Sequence, residues 1–141
     1  MTRENFKLMH SELIMDVQCI ERDLKLIYAG MHSGNFEKNL DVLEKANLGT
    51  VIKKLKELDY SDGNPCLSER DYALLEQIRD IRNYWCHQCY VDYLYIKDDW
   101  EREKTFEAIA NRLKKDGDNI LKLGEETERL RIKLLREFDR I

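Results

Sequence analysis

Proline occurs once in 141 residues and glycine six times. A chain so poor in both cannot supply the turns of an all-β sandwich or barrel, and it has no collagen-like or low-complexity signature. Long apolar runs are missing as well. No stretch approaches the roughly 20 residues that a membrane-spanning helix needs, and Met1-Thr2-Arg3-Glu4-Asn5 is not followed by the apolar run of a secretion signal. The four cysteines, Cys19, Cys66, Cys86 and Cys89, sit in a chain too long and too charged to be a disulfide scaffold. The expected setting is cytoplasmic, with reduced thiols. Positive charge is also short: 24 basic against 28 acidic side chains leave a formal net charge of −4. That excludes a protein that coats nucleic acid through a broad basic surface, but it leaves room for contact at one local site.

What the chain does have is helical periodicity. At this length it is expected to form one domain, residues 1–141, large enough to bury a core without staples. Phe6, Met9, Leu13, Val17, Ile20, Leu24 and Ile27 step by three and four and predict a first helix from about Glu4 to Tyr28. Gly30 to Gly34 stops it. Phe36, Leu40 and Leu43 predict a short second helix, with Leu48 as its outer limit. Thr50 is placed to cap a third, which carries Ile52, Leu55 and Leu58. Lys53, Lys54 and Lys56 lie mostly off that stripe and suit a solvated face, with a phosphate-binding patch as the alternative. Ser61-Asp62-Gly63-Asn64-Pro65 is a loop. Ser68 with Asp71 has the form of a capping box, which opens a helix expected to reach at least Ile96.

From Phe106 a heptad-like series continues through Ala110, Leu113, Gly117, Ile120, Gly124, Thr127, Arg131, Leu134 and Phe138. It predicts one long final helix, with Asp116-Gly117-Asp118-Asn119 as the place where it would kink or break. Forty helical residues span about 60 Å. That is more than the width of a compact domain of this size, so either the helix breaks or its C-terminal end packs on a second subunit. The expected fold class is all-α: an up-and-down helical bundle of about five helices with a long C-terminal helix.

The helix opened by Ser68 has two faces. Leu74, Ile78, Ile81, Trp85, Cys89 and Ile96 fall within about 80° of one another and form a core stripe. Arg79, Arg82, Asn83, Cys86, His87 and Tyr90 gather roughly 140° away, with Tyr72 and Tyr93 extending that second stripe. Packing does not explain why an arginine pair, an amide and an imidazole share a side. Asn83 and His87 are four apart and can touch. Together these groups suit a phosphodiester: the arginine fork pairs with phosphate oxygens and steadies charge that develops in a transition state. Histidine acts as acid or base near neutral pH. In RNA the 2′-hydroxyl supplies an internal nucleophile, so no metal is required. A surface or structural hydrogen-bond cluster is the plainer use of such a face.

Arg82-Asn83-Tyr84-Trp85-Cys86-His87 has the form Arg-polar-x-x-x-His, which resembles the signature of HEPN domains (higher eukaryotes and prokaryotes nucleotide-binding). Its position on a long helix, after helical hairpins and before another long helix, is similar too. The resemblance covers the helical layout of Met1–Phe138; its specific part is six residues. It implies a metal-independent endoribonuclease, a toxin–antitoxin or defence component, acting as a homodimer on an RNA substrate and needing no cofactor. By the same resemblance Arg82 would stabilise the scissile phosphate. His87 would act as general acid and base in attack by the 2′-hydroxyl, and Asn83 would orient them at a cleft between two subunits. Arg79, Tyr90 and Tyr93 are the expected substrate contacts. A nucleotidyltransferase-like antitoxin is the implied partner in one toxin subgroup. That subgroup has a tyrosine two residues after the histidine, whereas here Cys89 stands there and Tyr90 follows, which puts regulation by tyrosine modification in doubt. The alternative function is a non-catalytic helical module for nucleotide binding or protein interaction. Cys86 and Cys89 enclose His87 in a Cys-x-x-Cys pair, but a zinc site needs about four ligands and no second pair exists, so no metal is expected.

Overall fold

Five of the six helices begin at a residue whose side-chain oxygen accepts a backbone N–H three positions on. The computed structural model describes residues 1–141. In it Thr2 caps α1 (Arg3–Met31), Asn35 caps α2 (Phe36–Val42), Asn47 caps α3 (Leu48–Tyr60), Ser68 caps α4 (Glu69–His87) and Asp98 caps α6 (Asp99–Glu137); the single-turn α5 (Val91–Leu94) has no such cap. Each cap satisfies a donor that the helix start would otherwise orphan. Ser68 and Asp71 form the full capping box. The cap of α3 is Asn47 rather than Thr50: Asn47 Oδ1 accepts the Thr50 N–H at 2.9 Å. Leu48 therefore belongs to α3, and the buried stripe Leu48, Val51, Ile52, Leu55 starts with it.

The chain alternates in direction. Arg3 pairs with Glu103 at 2.6 Å, Phe6 packs on Phe106, and Arg131 pairs with Asp23 at 2.8 Å, so α1 and α6 run parallel. Asn39 reaches back to Ala29 and Lys25 to Glu44, so α2 returns along α1. Tyr60 lies against Tyr72 and Gly49 against Arg79, so α3 and α4 are antiparallel. The result is an all-helical up-and-down bundle without strands. No helix is long and apolar enough to cross a membrane.

The final helix is continuous through Asp116-Gly117-Asp118-Asn119. A helical glycine costs about 1 kcal/mol. Leu113 and Ile120 bury the same face on either side of it, and Asp116 accepts the Trp85 indole N–H at 2.8 Å while pairing with Arg112. The C-terminal end of α6 needs no second subunit to cover it, because α1 is itself 29 residues long and accompanies it. Leu135 packs at Gly30, and Arg140 donates to the Gly30, His32 and Gly34 carbonyls at 3.2, 2.8 and 3.0 Å, closing the end of α1. A Cβ at Gly30 would sit 2.3 Å from Leu135 Cδ2. Gly30→Ala is therefore expected to cost about 1–3 kcal/mol by overpacking, seen as a lower urea midpoint at unchanged slope.

The helix expected to reach Ile96 ends at His87 instead. Tyr84 O accepts the N–H of both Gln88 and Cys89, and the chain bends there before α5. The bend has a packing cause. A straight helix would carry Tyr93 past the edge of the core stripe. The bend delivers it to Phe6 and Phe106 at ring distances of 6.3 and 5.3 Å, and seats Cys89 in the core. This extra turn makes six helices where about five were expected.

Candidate functional site

Helix α3 decides which part of α4 is left open. Its C-terminal end covers the first turns of α4, where Tyr72 is buried and donates to Asp59 Oδ2 at 2.7 Å. Its N-terminal end stops level with Arg79. Beyond that point the polar face of α4 is uncovered, and Arg79, Arg82, Asn83 and His87 line one open depression of about 580 Å³. Asn47 and Gly49 form its α3 wall; Tyr84 and Gln88 complete it.

The residues differ in how far the fold has committed them. Arg79 is shared with two carboxylates, Glu76 at 2.7 Å and Asp80 at 3.3 Å. Arg82 has no carboxylate partner; its Nη1 donates to Asn83 Oδ1 at 3.3 Å. This aligns the amide with the guanidinium and leaves most of the fork free. His87 is the last residue of α4, exposed, with neither ring nitrogen bonded to protein. Tyr84 is held beneath the Arg112 guanidinium, 3.5 Å from its ring centre. Burial, helped by the Asp92 carboxylate, pushes the Tyr84 hydroxyl up to about 12. It stays protonated at neutral pH and can donate a hydrogen bond but cannot serve as a base. The first turn of α3 carries no acid, so the helix dipole adds positive potential at the rim.

The structure separates the tyrosines from this group. Tyr90 is half-buried against His10 and Phe6, at 5.2 and 5.8 Å. Tyr93 is only 4% exposed. Neither lines the depression, because the bend at Gln88 turns both toward α1. Tyr72 likewise lies in the core rather than on the exposed face. Cys86 is exposed, whereas Cys89 is buried with its thiol directed at Trp85 O and pushed up by that burial. No three histidine, cysteine or acidic side chains converge as a metal site would require.

Asn47 and Gly49 were not among the expected site residues. The signal was present: Leu48, Val51, Ile52 and Leu55 keep helical spacing, which starts α3 at Leu48 and makes Asn47 its cap. That choice carries the α3 N-terminus to Arg79.

No family model, curated protein or solved structure matches the chain.

Proposed function

We propose that this protein is a HEPN-type, metal-independent endoribonuclease, with Arg82, Asn83 and His87 as its catalytic group and a homodimer as its working form. The observation that carries this reading is the shared depression: an arginine without a carboxylate partner, an amide bonded to it and a free imidazole open on one surface, away from the core. His87 takes the proton of a 2′-hydroxyl, the 2′-oxygen bonds to phosphorus, and the bond from phosphorus to the 5′-oxygen breaks. The leaving oxygen takes up a proton, and the product ends in a 2′,3′-cyclic phosphate. Arg82 neutralises the charge that builds on the phosphoryl oxygens.

In-line displacement puts the attacking and leaving oxygens on opposite sides of phosphorus. One imidazole does not reach both, and a second copy's His87 would supply the acid. Following α4 in the chain, Val91, Leu94, Tyr95 and Trp100 are 51%, 58%, 80% and 70% exposed, apolar side chains suited to contact with that second copy. The toxin or defence role, and a nucleotidyltransferase-like antitoxin, belong to the same reading.

The purified protein is expected to cut single-stranded RNA in the presence of EDTA and to leave cyclic-phosphate ends, with sedimentation at dimer mass. Products ending in 3′-hydroxyl groups would overturn the mechanism. Nucleotide binding without cleavage across varied RNAs would favour the non-catalytic module.

A further inference from the structure

A second depression of about 580 Å³ lies along the groove between α3 and α4 and joins the first at Gly49 and Arg79, which line both. Its walls carry Lys53 and Lys56 from α3, and Tyr60 stands at its far end. Resting on the ribonuclease reading, we infer that this groove is a track for the substrate strand: single-stranded RNA leaves the Arg82–His87 depression over Gly49, passes Arg79 and Lys53, and lays a base near Lys56 and Tyr60.

Charge and shape both favour such a strand. Two acids face the groove, Glu57 and Glu76, and Glu76 is already paired with Arg79. Lys53, Lys56 and Arg82 pair with no carboxylate, so even with Arg79 shared between Glu76 and Asp80 the joined groove carries an excess of positive charge on a chain whose net charge is −4. Phosphates spaced along a strand meet such separated cations one by one. Tyr60 is 37% exposed, and its ring is backed by Tyr72 at 5.8 Å, with Lys56 Nζ also 5.8 Å from its centre. A supported, accessible ring beside an ammonium is a base platform. Gly49 keeps the passage low: a Cβ there would lie 3.3 Å from Arg79 Cδ. From Glu76 to His87 the track follows about three turns of α4, about 16 Å at the helical rise, and Tyr60 extends it, which suits a footprint of about four nucleotides.

Fluorescence anisotropy with a labelled ten-nucleotide single-stranded RNA tests the track, in a His87→Ala background that preserves the ligand. Lys53→Glu with Lys56→Glu is expected to weaken binding by about tenfold or more and to lower the salt slope by about two. Tyr60→Ala is expected to weaken it by about fivefold or more. The same charge reversal on α6, Lys114→Glu with Lys122→Glu, is expected to leave affinity within about twofold, and helicity by circular dichroism to stay unchanged in all variants. Equal losses from the α6 pair, no loss from the α3 pair, or polyglutamate binding as tight as RNA would each overturn the track. Failure of the ribonuclease reading shows separately, as absence of cleavage by the wild-type protein.

Discussion

Alanine at His87 is expected to slow RNA cleavage by a factor of about 10²–10⁴, the range that a positioned acid or base contributes. The imidazole is exposed at the end of α4 and hydrogen-bonds to no protein group, so its removal costs little packing, and the melting temperature is expected to stay unchanged. Single-turnover cleavage of a short RNA separates this loss from weaker binding. Arg82→Ala is expected to cost about 10²–10³ through lost charge stabilisation. Arg82→Lys is expected to recover little of it, because a point charge does not reproduce the planar fork or its bond to Asn83. Full cleavage by the His87→Ala variant would remove His87 from the mechanism.

The largest structural effect is expected at Asp59. Its carboxylate is 3% exposed and accepts three hydrogen bonds: from Cys66 N–H at 2.7 Å, Leu67 N–H at 3.1 Å and Tyr72 Oη at 2.7 Å. It thereby ties the end of α3 to the loop before α4 and to the first turn of α4. Asp59→Ala leaves these three donors without their partner, at a cost of about 3–5 kcal/mol, or roughly 10–17 °C in melting temperature. Asp59→Asn keeps one acceptor oxygen and is expected to fall between. Tyr72, whose hydroxyl is raised well above its ordinary value by burial first and by Asp59 second, adds a pH signature. A raised folded value means the folded state holds the proton more tightly. The stabilisation is therefore complete below the unfolded value of about 10 and is lost as pH rises toward the folded one. Denaturant titrations are expected to show stability falling above pH about 10 and falling less steeply in Tyr72→Phe. Parallel slopes in the two proteins would overturn the assignment.

Periodicity and capping chemistry were enough to place α1, α2, the start of α4 and the buried stripe of α6, because buried stripes at helical spacing and side-chain caps act within a few residues of themselves. They also separated the core stripe Ile78, Ile81, Trp85 from the face bearing Arg79, Arg82, Asn83 and His87. The same local signals failed at the end of α4. Nothing between Cys86 and Ile96 is a helix breaker; the stop comes from Phe6 and Phe106, rings that begin in helices far away in the chain and draw Tyr93 inward. Tyr90 and Tyr93 therefore left the face that the wheel assigned them. The helix runs unbroken past Gly117, where a kink or a break was the expectation, with α1 parallel to α6 past that point and packed beside it.

The amino-acid order alone determined that this chain is helical and that one helix carries an arginine, an amide and an imidazole on a side that packing does not claim. Those properties follow from spacing along a single helix. Whether that side would be covered was decided by where α3 ends. Its last turns bury Tyr72, and its first turn stops at Arg79 and leaves Arg82 and His87 open. It also turned Lys53 and Lys56, which sequence spacing suited to a solvated face, into the wall of a groove continuous with the site. Contacts between helices settle such matters, and they join residues whose separation along the chain gives no sign of their meeting.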